Sequence, residues 1–163
     1  MTKIKVGHII VDHFNTLCRF DTGKRSITDI IVFFIIPLTN AIILVALGGS
    51  IMSILGDLLK AIAIFSAFLF NMLAIVNSTL NKESITHDQL KLRYAKEIHA
   101  NLSFEILLGI VIVVLLLLQS LTVGITNNLW VQNGIELTNI FLIGVFFLTL
   151  LMCLNRVYIL LRS

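Results

Sequence analysis

Long apolar runs alternate with short polar ones along the chain. Runs near 27–47, 58–76, 102–121 and 137–160 carry almost no charge. About 20 mostly apolar residues in helical form cross the roughly 30 Å of hydrocarbon in a bilayer. Backbone amides in lipid find no water, so a helix is the conformation that satisfies them. The pattern therefore predicts an all-α integral membrane bundle of four transmembrane helices. The third run is the strongest, because residues 110–118 hold no polar side chain. The second is the weakest, because Asp57 and Lys60 stand at its start.

Polar punctuation separates the runs. Gly48-Gly49-Ser50 marks the first turn, and Ile51 to Leu55 suit an interfacial turn of helix. Asn127-Asn128 and Asn133-Gly134 mark the second turn, with Trp130 between them as a headgroup-level anchor. Pro37 is expected to kink the first span. Ala63 with Ala67, and Gly109 and Gly144, are small enough for helices to approach closely. Residues 82–99 also read as helix, with Ser84 as its cap, extending the third span beyond the membrane. Near the N-terminus Val6, Ile9, Ile10, His13, Phe14 and Leu17 recur at helical spacing, with Asp12 and Asn15 opposite. Two readings fit: a helix lying on the membrane surface, or one packed on its own bundle. The expected layout is an amphipathic cytoplasmic segment, 1–26, and a transmembrane domain, 27–163, with a cytoplasmic loop at 77–101.

Charge orients this layout. Lys3, Lys5, Arg19, Lys24 and Arg25 precede the first span. Lys82, Lys91, Arg93 and Lys96 lie between the second and third, and Arg156 and Arg162 end the fourth. The connections 48–57 and 122–136 hold no Lys or Arg. The positive-inside rule then places both termini and the middle loop in the cytoplasm. Lys60 alone dissents, and its long stem can snorkel to the outer interface. Composition agrees: 58% of the 163 residues are hydrophobic and 13% charged, against about 25% charged in an ordinary soluble domain. The net charge of +3 flanks the apolar runs, which suits anionic headgroups; no basic, aromatic-rich stripe for nucleic acid is present. Cys18, expected in the reducing cytoplasm, and Cys153, within the fourth run, form neither a disulfide framework nor a metal site.

In lipid the hydrophilic residues are the informative ones. Asp29, Asn71, Asn101, Glu105, Asn155 and Arg156 all fall in the inner half of their spans. Glu105 and Arg156 lie at similar depth on consecutive antiparallel helices. They are expected to form an ion pair, with Asn71 and Asp29 as further partners, serving as structural glue or as a gate or proton-linked switch; the alternative is that each reaches water separately. Asp57 and Lys60, three residues apart, should pair locally. Asn40 should bond a neighbouring helix. Lys82, Lys91, Arg93 and Lys96 form a candidate docking loop for a cytosolic protein. His8, Asp12 and His13 lack the further ligands of a metal site. There is no phosphate loop, nucleophile elbow, or Cys–His or Ser–His constellation. No enzyme activity, cofactor or metal is therefore expected.

The stretches Ala63-Ile64-Phe65-Ser66-Ala67-Phe68-Leu69-Phe70 and Glu97-Ile98-His99-Ala100-Asn101-Leu102-Ser103-Phe104, set in a cytoplasmic lead-in and two hairpins, complete a layout with a known counterpart. It resembles the small multi-pass membrane proteins of bacterial antiphage defence and phage exclusion, such as the Kiwa membrane component and the lambda exclusion membrane protein. The resemblance implies a homo-oligomeric sensor, effector or scaffold subunit in the bacterial inner membrane, acting with a cytosolic partner. Two other classes stay open: an oligomeric pore-forming or depolarising protein, and a small transporter subunit or membrane assembly factor.

Overall fold

The computed structural model describes residues 6–16, 31–80, 89–125 and 128–162. Every regular element among them is helical. Helix α1 spans Val6–Thr16; a π-helical turn, Ile31–Ile35, leads into α2, Ile36–Ala46. A 3-10 turn, Met52–Ile54, opens onto α3, Leu55–Leu80. Helices α4, Gln89–Ile125, and α5, Leu129–Arg162, complete the chain. Met52–Leu80, Lys91–Thr122 and Leu129–Tyr158 are each long and apolar enough to cross a membrane. Ile31–Ala46 is a shorter apolar helix; the first four residues of the first predicted span lie outside the described residues.

Local chemistry explains where these helices start and stop. Helix α2 ends in a Schellman motif: the Gly49 amide donates to the Leu44 carbonyl oxygen at 2.9 Å and the Gly48 amide to that of Val45 at 3.0 Å. Gly48 takes the left-handed conformation this motif requires, at φ 73°, which glycine adopts at little cost and residues with a Cβ rarely do. Helix α5 starts at Asn128, whose Oδ1 accepts from the Trp130 amide at 3.1 Å, an N-cap bond. The predicted turn at Asn133-Gly134 is instead inside this helix. The Asn128 cap starts α5 earlier, and Thr138 Oγ1 bonds back to the Gly134 carbonyl oxygen at 2.8 Å. Pro37 occupies the first turn of α2. The preceding π turn absorbs the disruption that a proline brings to a continuous helix.

Helices α4 and α5 form the central hairpin; α3 packs on α4, α2 on α5, and α1 on α4. The shared core includes Ile62 and Leu69 of α3, Leu102, Ile112 and Leu116 of α4, and Phe146 of α5. Two glycines set the close approaches. A methyl carbon at Gly109 would stand 2.8 Å from Ser66 Oγ, and one at Gly144 would stand 2.9 Å from Pro37 Cβ. At 1.5 Å per residue, the 37 residues of α4 extend about 55 Å. That is well beyond the hydrocarbon of a bilayer, so α4 also forms part of the predicted middle loop. Large apolar side chains, among them Ile64, Ile75, Leu121 and Leu151, are exposed around the bundle, while Asn101, Glu105, Gln119 and Asn139 are buried. That distribution suits a lipid surround: a water-soluble monomer rarely exposes apolar area on this scale.

Candidate functional site

Polar side chains converge where α1 meets α4 and α5. Asn101 is fully buried on α4. Its Oδ1 lies 2.9 Å from His13 Nδ1 and accepts from Thr16 Oγ1 at 2.6 Å. The Thr16 hydroxyl also reaches the His13 carbonyl oxygen at 2.7 Å. The His13 ring stacks flat on Phe104, with centroids 3.8 Å apart and planes 7° apart. Helix α1 thus turns His13 and Thr16 inward, while His8 and Asp12 are exposed. Ile10, Val11 and Phe14 stay exposed, although Phe14 also stacks on Phe34 of the π turn at 5.9 Å. Of the two predicted readings, the contacts are those of a helix packed on its own bundle. Burial pushes the His13 pKa down to about 4, with Arg156 adding to the effect and the Asn101 hydrogen bond opposing it.

Arg156 completes the junction. Its guanidinium donates to the Thr16 carbonyl oxygen at 3.0 Å and meets Glu97 Oε2 at 3.4 Å. Glu97 Oε1 in turn pairs with Arg93 at 3.3 Å. An open cavity of about 540 Å³ borders this junction, lined by Asp12, Thr16, Arg93, Lys96, Glu97 and His99, among others.

The expected partnership of Glu105 with Arg156 gives way to Arg156–Glu97. The hairpin register explains why. Gly109 abuts Phe146 and Arg156 meets Glu97, so Glu105 lies opposite the stretch between Phe146 and Cys153, short of Arg156. Glu105 is 0% exposed, and neither carboxylate oxygen has a hydrogen-bond partner among the described residues. Asn101 Nδ2, one turn away, is equally unpartnered. Asn71 and Asn155 are exposed on α3 and α5, so neither joins this buried cluster. Asp29 lies outside the described residues. Of the predicted docking loop, Lys82 lies outside them too; Lys91 is half-buried, and Arg93 and Lys96 are exposed. The predicted Asp57–Lys60 pair forms at 3.1 Å. Asn40 is exposed and makes no bond to a neighbouring helix among the described residues.

A second polar clamp at the opposite end was not anticipated from the sequence. Asn139 Nδ2 donates to Gln119 Oε1 at 2.6 Å between α5 and α4. Glu136 Oε1 accepts from the Ile51 amide at 2.7 Å, tying the 3-10 turn to α5. Both Gln119 and Asn139 stand in runs that read as apolar nearly all round. Gln119 precedes the Asn128 turn by about the same stretch of chain as Asn139 follows it, which was the available signal. No family model matches the chain, and no curated protein or solved structure shows significant similarity to it.

Proposed function

We propose that the chain is a four-span protein of a bacterial inner membrane, with both termini inside, serving as a sensor or scaffold subunit that signals to a cytosolic partner. In this reading the α1 junction faces the cytoplasm. The spans are α2 with the residues before it, α3, α4 and α5. The observation that carries the reading is the bonding of α1, which is held by a small polar set: His13 and Thr16 on Asn101, and Arg156 on the Thr16 carbonyl oxygen. Hydrogen bonds of this kind each contribute about 0.5–1.5 kcal/mol net, and more where a charge is involved. A latch worth a few kcal/mol is firm at rest and within reach of a signal. Release uncovers Asn101 and Phe104 beside the Arg93–Glu97–Arg156 chain, a surface of mixed charge suited to a soluble protein. The layout's resemblance to phage-exclusion membrane proteins supports antiphage defence as the setting.

The test is Asn101→Leu, which keeps the volume and removes the bonds. Deuterium exchange of the α1 amides in lipid nanodiscs should speed up at least tenfold. Co-purification with the product of the adjacent gene should change in parallel. Exchange at the wild-type rate would show that α1 is not latched by this network, and unaltered co-purification would remove the latch from partner binding.

A further inference from the structure

Glu105 is the most exacting group in the molecule. A charged residue at the centre of a membrane helix costs about 2.5–3.5 kcal/mol on insertion scales, and such residues normally pair. Glu105 has no solvent-accessible surface and no hydrogen-bond partner for either oxygen among the described residues. The titratable groups around it come from three helices: His13 of α1, Cys153 and Arg156 of α5, and Glu97 two turns away on α4 itself. Arg156 is occupied by Glu97 and the Thr16 carbonyl oxygen. Residues 61–80 of α3 contain no titratable side chain; Asp57 and Lys60 belong to the far end.

We propose that Glu105 is an intramembrane proton-binding site, reached from the α1 end by way of Asn101 and covered by α1. Its enclosure selects the ligand. A metal ion needs several donors, and no group of three His, Cys, Asp or Glu side chains among the described residues forms such a set. An organic cation needs volume, and Glu105 has no open surface to offer it. A proton needs neither, and it removes the charge that an apolar interior penalises.

The route follows from the spacing. Asn101 and Glu105 share one face of α4, about 6 Å apart along the axis. The unpartnered Nδ2 of Asn101 is the polar group between Glu105 and the surface. Thr16, bonded to Asn101, also lines the open cavity, so the cavity reaches the α1 junction and stops one residue short of Asn101. His13 lies on Phe104, the residue next to Glu105, and holds Asn101 by its Nδ1. Helix α1 therefore closes the last step. The proposal extends the latch reading by naming what lies beneath the latch.

Infrared difference spectroscopy of the full-length protein in lipid tests it, by subtracting Glu105→Gln from wild type at neutral pH. The expected result is the carbonyl stretch of a protonated carboxyl, lost in the variant. A difference spectrum holding only carboxylate bands, or none, would overturn the proposal. Wild-type protein supplies a second reading that needs no variant to fold. Dicyclohexylcarbodiimide dissolves in lipid, captures irreversibly a carboxyl that transient opening of the helices exposes, and adds only to its protonated form: the acid proton moves to a carbodiimide nitrogen, the oxygen bonds the central carbon, and acyl transfer to nitrogen leaves a stable N-acylurea. Mass spectrometry should place that adduct on Glu105 and show less of it as pH rises; an adduct yield on Glu105 that ignores pH counts against the proposal. The cover is read on the same infrared band, whose hydrogen–deuterium exchange should quicken at least tenfold in His13→Ala, which removes the α1 contacts with Asn101 and Phe104 and keeps Asn101 itself. An unchanged rate would remove α1 from the route. These readouts report the chemical state of Glu105 whether or not the protein docks a partner, so failure here and failure of the partner reading are separable.

Discussion

At 3% exposure, with its ring flat on Phe104, His13 has given up most of its water. Its folded pKa of about 4 lies below the ordinary 6.5, so docked α1 binds fewer protons than undocked α1. Docking is therefore at full strength above pH 6.5 and weakens as the pH falls from there toward 4. At pH 5.5 the docked-to-undocked ratio should drop about tenfold relative to neutral pH, given those two values. Deuterium exchange of α1 at the two pH values measures this ratio. In His13→Phe, which keeps the aromatic stack but cannot titrate, the pH dependence should vanish. A pH response that persisted in His13→Phe would assign the switch to another group. Arg156 acts differently at this scale: it is a donor to a backbone carbonyl on α1 and a charge partner for Glu97 at once. Its removal would therefore loosen α1 and leave Glu97 to Arg93 alone.

Two glycine contacts set the spacing between helices. The atom a new Cβ would meet at Gly109 is Ser66 Oγ, the end of a side chain that can rotate away. At Gly144 it is Pro37 Cβ, part of a ring fixed to its backbone, with Pro37 Cα at 3.5 Å behind it. Gly144→Ala should therefore push α2 off α5 and destabilise by about 1–3 kcal/mol, the usual cost of overpacking. Gly109→Ala should cost less. Thermal melts in detergent rank the two, and the reverse order would contradict the packing described. The elements themselves were largely legible in the sequence, because a bilayer imposes length and hydropathy on each span separately. The helix in the middle loop was legible from Gln89 on, where α4 begins and continues unbroken; its predicted start at 82–88, with the Ser84 cap, lies outside the described residues. Contacts between elements were less legible. Glu105 and Arg156 share a depth on neighbouring helices, but the register of the α4–α5 hairpin brings Arg156 to Glu97. Hydropathy also averages over a window, so single polar residues such as Gln119 and Asn139 disappeared into the runs that contain them. The N-terminal periodicity located α1 but not its facing, because the polar patch it packs on belongs to α4, some 85 residues away along the chain.

Among the described residues, much of the molecule's exposed surface is apolar, while a few polar side chains are buried beside an apolar core. Its two polar clamps sit at opposite ends, His13–Asn101–Arg156 at one and Gln119–Asn139 with Glu136 at the other, with the core of Ile62, Leu69, Ile112 and Phe146 between them. Such bonds between membrane helices are each worth about 0.6–2 kcal/mol, which fixes register more than it supplies stability. The latch, its proposed partner and the proton route all depend on which end faces the cytoplasm. Single cysteines replacing Trp130, 88% exposed at one end, and Lys96, exposed at the other, decide the matter in a background lacking Cys18 and Cys153. In intact cells a membrane-impermeant maleimide should label the Trp130 site and spare the Lys96 site, and in inverted vesicles the pattern should reverse. Labelling of both sites from the same side would contradict the account.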